Sequence, residues 1–178
     1  MARYNIAFQP TDKNMQSFFV TLSQKYFGSI HDNYILGTNG LAHVTLCQFY
    51  AATGDEAVRY YNAFSPNITL TLHIESFRIR SGTLVNAGKY IADLAIKNIP
   101  ELSQLQKNCC DYLKAQGSQS LTPAEKYSPH ITLARLSEVP EPVPTIDEAP
   151  YGQPLLMKLV VGESTESGVL LNVLADEK

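Results

Sequence analysis

Two short stretches of the chain repeat one pattern, His43-Val44-Thr45-Leu46 and His130-Ile131-Thr132-Leu133, 87 residues apart. Side chains at i and i+2 of a strand share a face. Each stretch, read as a strand, therefore presents an imidazole and a hydroxyl on one side and two apolar side chains on the other. The chain has 4 His, and half of them fall in this frame, each followed by an apolar residue, Thr and Leu. A single copy would be ordinary β-strand usage. The duplicated copy constrains the fold, because what precedes each copy is duplicated too.

Residues 3–8 carry Tyr4, Ile6 and Phe8 at period two and read as a strand. Pro10-Thr11-Asp12 opens a helix, along which Met15, Phe18, Phe19, Leu22 and Tyr26 recur at helical spacing up to Gly28. A loop over residues 29–40 leads to a strand at 41–50 that holds the first motif. The order then returns. Residues 90–96 read as a strand, and Pro100-Glu101 opens a helix with Leu102, Leu105, Cys109, Tyr112 and Leu113 on one side, ended by Gly117. A polar loop over 118–128 leads to the second motif strand, 129–136. The chain thus predicts an α+β fold with a strand–helix–strand unit used twice, at about 3–50 and 89–136, around a pseudo-twofold axis.

Between the units, a helix is expected over 55–64. Residues 67–80 alternate as Ile68, Leu70, Leu72 and Ile74, then shift parity to Phe77 and Ile79, which predicts a bulge near Glu75-Ser76. A short strand is expected at 83–85 before a turn at 86–88. Residues 137–154 hold five prolines and form neither a regular helix nor a central strand. Residues 155–161 and 169–174 predict a closing hairpin.

At 178 residues the chain is expected to be one domain. Its charged content of 17%, net charge of −3 and pI near 5.8 argue against a broad surface for duplex DNA. The longest apolar runs fall short of the roughly 20 residues of a membrane span, and no signal-peptide pattern opens the chain. Three Cys, two of them adjacent, argue for a reducing, cytoplasmic setting. The expectation is a cytoplasmic monomer with neither membrane nor duplex partner.

By alternation Leu41, His43, Thr45 and Cys47 share one face of the first motif strand, and His130 and Thr132 one face of the second. Set side by side, the two strands would bring two imidazoles and two hydroxyls into one pocket. Imidazole titrates near neutrality, so one His can take a proton while its twin gives one. Thr hydroxyls can donate to phosphate oxygens. Tyr127 flanks the second motif and could stack a base or pack. Simple alternation puts Arg135 on the face opposite His130. His73, His31, Lys89 and the Arg78-x-Arg80 pair are weaker candidates. No third ligand stands beside either motif, so no metal and no cofactor are expected.

These residues resemble the 2H phosphoesterase superfamily, whose mark is a pair of His-x-Thr motifs in a duplicated α/β unit. The stretch Tyr127-Ser128-Pro129-His130-Ile131-Thr132-Leu133-Ala134-Arg135 is similar to the second motif of its RNA 2′,3′-cyclic phosphodiesterase branch, also called 2′-5′ RNA ligase-like. After the first motif that branch usually has aromatic-Leu-Gly, where this chain reads Cys47-Gln48-Phe49-Tyr50. The resemblance implies a single catalytic domain of two lobes over 1–178, antiparallel sheets lining a central cleft and helices outside. It implies catalysis by His43 and His130, with Thr45 and Thr132 holding the phosphate, Arg135 assisting, and Tyr127 beside the substrate. The implied partner is a nucleotide or RNA end bearing a cyclic phosphate. Open alternatives are a 2′,5′-phosphodiesterase or ligase-like activity, a nucleotide-binding module without turnover, and a two-His metal hydrolase. Which His is acid and which is base is not legible in the sequence.

Overall fold

The computed structural model describes residues 1–64, 68–122 and 124–176. Its elements run in the order β1 (Ala2–Pro10), α1 (Lys13–Phe27), β2 (His31–Ile35), β3 (Val44–Ala51), α2 (Gly54–Phe64), β4 (Thr69–Ser81), β5 (Tyr90–Ile96), α3 (Pro100–Ala115), β6 (His130–Leu136) and β7 (Pro154–Glu163). Two 3₁₀ turns, Leu84–Asn86 and Ala124–Lys126, precede β5 and β6.

The strands are hydrogen-bonded in the order β2-β6-β5-β4-β7-β1-β3, and all their pairings are antiparallel. β4 joins the two halves. Its first part, Thr69 to His73, pairs with β7, and its second part, Ile74 to Ser81, pairs with β5. The register shifts between Ile74 and Ser76, where the parity of the apolar residues changes. The first residue of the stretch in which that alternation was read, Asn67, lies outside the described residues.

β1, α1 and β3 on one side and β5, α3 and β6 on the other follow in strand, helix, strand order, with β2 inserted in the first, and their helices cross over. α1 follows β1 and packs against β6 and β2 of the other half, whereas α3 follows β5 and packs against β3. α2 covers β7 and β1. Asp12 caps α1, its Oδ1 accepting from Asn14 N at 2.8 Å, a contact that contributes about 1 kcal/mol. The stripe that α1 buries is Phe19, Leu22, Ser23 and Phe27, and that of α3 is Leu102, Gln106, Cys109 and Leu113. Met15, Phe18 and Tyr26 of α1 pack at the edge of the core, half-buried. α3 gives way at Gly117, where φ is +80°. The main core, including Phe8, Phe19, Phe27, Phe49 and Tyr61, lies between sheet and helices, and a small second cluster gathers Ala7, Val160 and Leu170.

Three local expectations are corrected. Residues 29–40 are not wholly loop, since β2 adds an edge strand to β6. Residues 83–85 enter a 3₁₀ turn, with Leu84 at φ +53°. The closing hairpin has one regular strand, β7, and residues 169–174 return along it through isolated bridges such as Ser164 to Leu170. Residues 137–153 form no helix or regular strand but tuck Ile146 and Ala149 into the core, and the last proline of the stretch, Pro154, opens β7.

Candidate active site

Each motif strand contains the same irregularity at the same place. β1 pairs Ile6 with Cys47 and Ala7 with Thr45, which leaves Leu46 as an extra residue on β3. β5 pairs Ala92 with Ala134 and Asp93 with Thr132, which leaves Leu133 as an extra residue on β6. A bulge of this kind moves every later residue to the other face. The fourth residue of each His-x-Thr-Leu motif is therefore the bulge. In β6 its carbonyl is held from two sides, accepting from Ser23 Oγ of α1 at 2.7 Å and from Leu36 N at 2.9 Å.

The twin bulges correct two expectations drawn from plain alternation. Cys47 does not share the face of Thr45. It is buried towards α3, with its thiol 3.3 Å from Cys110 Sγ. Gln48 takes its place. In the second strand the same shift brings Arg135 onto the face of His130 and Thr132. Gln48 and Arg135 each stand five residues after their His and are structural counterparts.

The motif strands are not sheet neighbours, as setting them side by side would require. They meet across a cavity of about 300 Å³ whose lining includes His43, Thr45, Gln48, His130, Thr132 and Arg135. Tyr34, Arg80, Asn86, Lys126, Tyr127 and Gly168 also face it.

The two imidazoles are anchored alike at Nδ1 and meet different partners at Nε2. His43 Nδ1 donates to the Leu41 carbonyl and His130 Nδ1 to the Ser128 carbonyl, each at 2.7 Å. Carbonyls only accept, so both Nδ1 atoms carry hydrogen and both Nε2 atoms turn to the cavity. At His43, Nε2 meets a second carbonyl, that of Gly168, at 3.1 Å. Two carbonyls suit the imidazolium form, in which both nitrogens donate. At His130, Nε2 meets Arg80 Nη2 at 3.0 Å. A guanidinium only donates, so this Nε2 offers its lone pair and the ring is neutral. Burial pushes the pKa of both imidazoles down. The carbonyls of Leu41 and Gly168 oppose that at His43. At His130 the Asp93 carboxylate opposes it, while Arg80 and Arg78 reinforce it.

Asp93 is wholly buried on β5, accepting from Arg78 Nε at 2.8 Å and from Arg80 Nε at 2.5 Å. Arg135 donates through Nε to the Asp32 carbonyl at 3.0 Å and through Nη1 to Asn86 Oδ1 at 3.1 Å. Thr45 Oγ1 accepts from the buried Asn5 Nδ2 at 3.0 Å. Tyr127 donates to the Thr45 carbonyl at 3.0 Å and packs on the core. His73 and His31 bond the carbonyls of Gly152 and Gly28, and Lys89 pairs with Asp32, all three outside the cavity lining. Among the described residues no three His, Cys, Asp or Glu converge as metal ligands, and no helix is long and apolar enough to cross a membrane.

Asp93 and Asn5 escaped the sequence reading, yet each is the polar interruption of an apolar strand, in Ile91-Ala92-Asp93-Leu94 and Tyr4-Asn5-Ile6. The cavity as a whole can bind an anion between Arg80, Arg135 and Lys126 and can move protons at two Nε2 atoms.

No family model matches the chain, and no curated protein matches it. Solved structures do. E. coli LigT in complex with 3′-AMP is 20% identical, with a TM-score of 0.61 over 99% of each chain. A crystal structure described as a phosphoesterase is 18% identical, with a TM-score of 0.56 over 99% of each chain. The protein TT0787 of Thermus thermophilus is 17% identical, with a TM-score of 0.53 over 97% of this chain and 95% of that one. E. coli LigT has also been crystallised with phosphate and with ATP. The chain has the fold of these proteins.

Proposed function

We propose that the protein is a metal-independent phosphodiesterase of the 2H phosphoesterase type, which opens 2′,3′-cyclic phosphates at RNA or nucleotide ends. The observation that carries this reading is the convergence of His43 and His130, each with its Thr and each on a strand bulged at the residue after that Thr, on one cation-lined cavity. The fold is that of a protein that holds 3′-AMP, a nucleoside monophosphate of the kind such a reaction releases.

The hydrogen bonds divide the labour. His130 is neutral with its Nε2 lone pair towards the cavity, which makes it the general base. His43 sits between two carbonyls that favour the imidazolium. An anionic phosphate in the cavity offsets the burial that opposes this form, which makes His43 the general acid. The water proton goes to His130 Nε2 as its oxygen bonds to phosphorus. The bond from phosphorus to one ribose oxygen breaks, and His43 Nε2–H gives that oxygen its proton. Solvent exchange then restores both rings. Thr45 and Thr132 donate to the non-bridging oxygens, and Arg135 neutralises the charge that grows there.

The test is hydrolysis of a 2′,3′-cyclic nucleotide by purified protein in chelator. Turnover is expected to survive chelation and to fall by about 10²- to 10⁴-fold in His43→Ala and in His130→Ala. Full activity in either variant, or loss of activity on chelation, would overturn the proposal.

A further inference from the structure

The motif strands do not contain the residue that sits on the base. We infer that Arg80 is a second phosphate-contacting cation beside Arg135, which caps His130 Nε2 in the free protein and moves onto the phosphate when an anion enters. The inference rests on the reading that the cavity receives a phosphate.

Three observations carry it. First, a base whose lone pair is occupied by a guanidinium N–H cannot take a proton from water. The bond from Arg80 Nη2 to His130 Nε2 must open before the step assigned to His130. Second, Arg80 is built to pivot rather than to leave. Its Nε is fixed on the wholly buried Asp93 carboxylate, while its side chain keeps 37% of its surface exposed, at the cavity wall. The Nη edge can swing while the anchor holds. Third, the cluster lacks negative charge. One carboxylate serves two guanidiniums, and Arg78 Nη2 is buried without a hydrogen-bond partner. A phosphate oxygen beside Thr132 is a better acceptor for Arg80 than a neutral imidazole, because it adds the attraction of opposite charges to the hydrogen bond and can take both N–H groups of the guanidinium edge.

The consequence is a specificity device. The base is released by an anion and stays capped before a neutral ester. The charged and titratable groups around His130 are Asp93 on β5, Arg78 and Arg80 on β4 and Arg135 on its own strand. His43, Tyr34, Tyr127 and Lys126 line the same cavity.

The experiment is an NMR titration of the His130 ring, with and without inorganic phosphate, in the wild type, Arg80→Gln and Arg80→Lys. In the free protein, His130 of Arg80→Gln should titrate at higher pH than in the wild type, because a cation has left its side. Phosphate should bind this variant about 10- to 100-fold more weakly, the loss of one charged hydrogen bond. Arg80→Lys keeps the charge against Asp93 without the fork and should fall between the two. Unchanged titration of His130 in Arg80→Gln, or wild-type phosphate affinity, would overturn the assignment. If both shifts appear and the wild type turns over no cyclic nucleotide, the hydrolase reading fails and Arg80 stands as a phosphate ligand.

Discussion

Arg135 tests whether the bulge matters. It faces the cavity because Leu133 is the extra residue in β6, and two of its five N–H groups are committed to Asp32 O and Asn86 Oδ1. The remaining donors are free for a phosphate oxygen. Arg135→Gln removes the cation and reproduces in the second strand the residue that the first strand has at Gln48. Losing one charged hydrogen bond to the transition state costs about 1.5–3 kcal/mol, roughly a 10- to 150-fold fall in kcat/KM. Losing the two bonds to Asp32 and Asn86 costs stability about 1–3 kcal/mol in total. The assay is cyclic-nucleotide hydrolysis at subsaturating substrate, beside urea unfolding of the same samples. Gln48→Ala serves as the counterpart. Its Nε2 donates to Ser164 Oγ at 3.0 Å and carries no charge, so it should lose less than about 5-fold. Undiminished kcat/KM in Arg135→Gln, in a protein that hydrolyses the substrate, would refute the argument that the bulge delivers a catalytic cation.

Stability should fall on acidification. Both cavity imidazoles have pKa values lowered by burial, so between the ordinary value of about 6.5 and the folded values the unfolded chain binds protons that the folded chain refuses. Their contribution is full above pH about 6.5 and is lost as pH falls below it; urea midpoints at pH 7.5 and 5.5 should differ by less in His43→Gln than in the wild type. Asn5→Ala frees Thr45 Oγ1 and should raise KM several-fold while changing stability by about 1 kcal/mol, because Asn5 Oδ1 is itself buried without a partner; an unchanged KM would remove Asn5 from the positioning of Thr45. Gly168 has φ +92°, and a Cβ there would lie 3.1 Å from Gln48 Nε2. Gly168→Ala should therefore cost about 1–2 kcal/mol and shift the carbonyl from His43, which the His43 ring titration by NMR would register.

The legible part of the fold was what periodicity encodes. β5 and α3 begin at Tyr90 and Pro100 as their sequences say, and the bulge in β4 follows from one change of parity between Ile74 and Phe77. The crossing of the helices was not legible, since an amphipathic stripe such as Phe19, Leu22, Ser23 and Phe27 specifies a buried face and not which sheet covers it. β2 escaped because its five residues pair with β6 only near their ends and pass through Asn33 at φ +58°.

The faces of Cys47 and Arg135 failed to read correctly, and the reason is physical. The motif His-x-Thr-Leu looks like uninterrupted alternation as far as its last residue, and alternation then sends Cys47 to the cavity and Arg135 away from it. Two consecutive apolar residues follow each Thr, Leu46-Cys47 in one strand and Leu133-Ala134 in the other, and each pair is followed by a polar residue. This is the parity shift that betrays the bulge in β4. It is hard to see here because only one residue after each doublet, Gln48 or Arg135, reports the new phase. Duplication supplies the missing statistics. One doublet in one strand is noise, but the same doublet at the same offset from both His residues marks a bulge that each half of the molecule needs, because the residue five places after His must return to the face that His occupies.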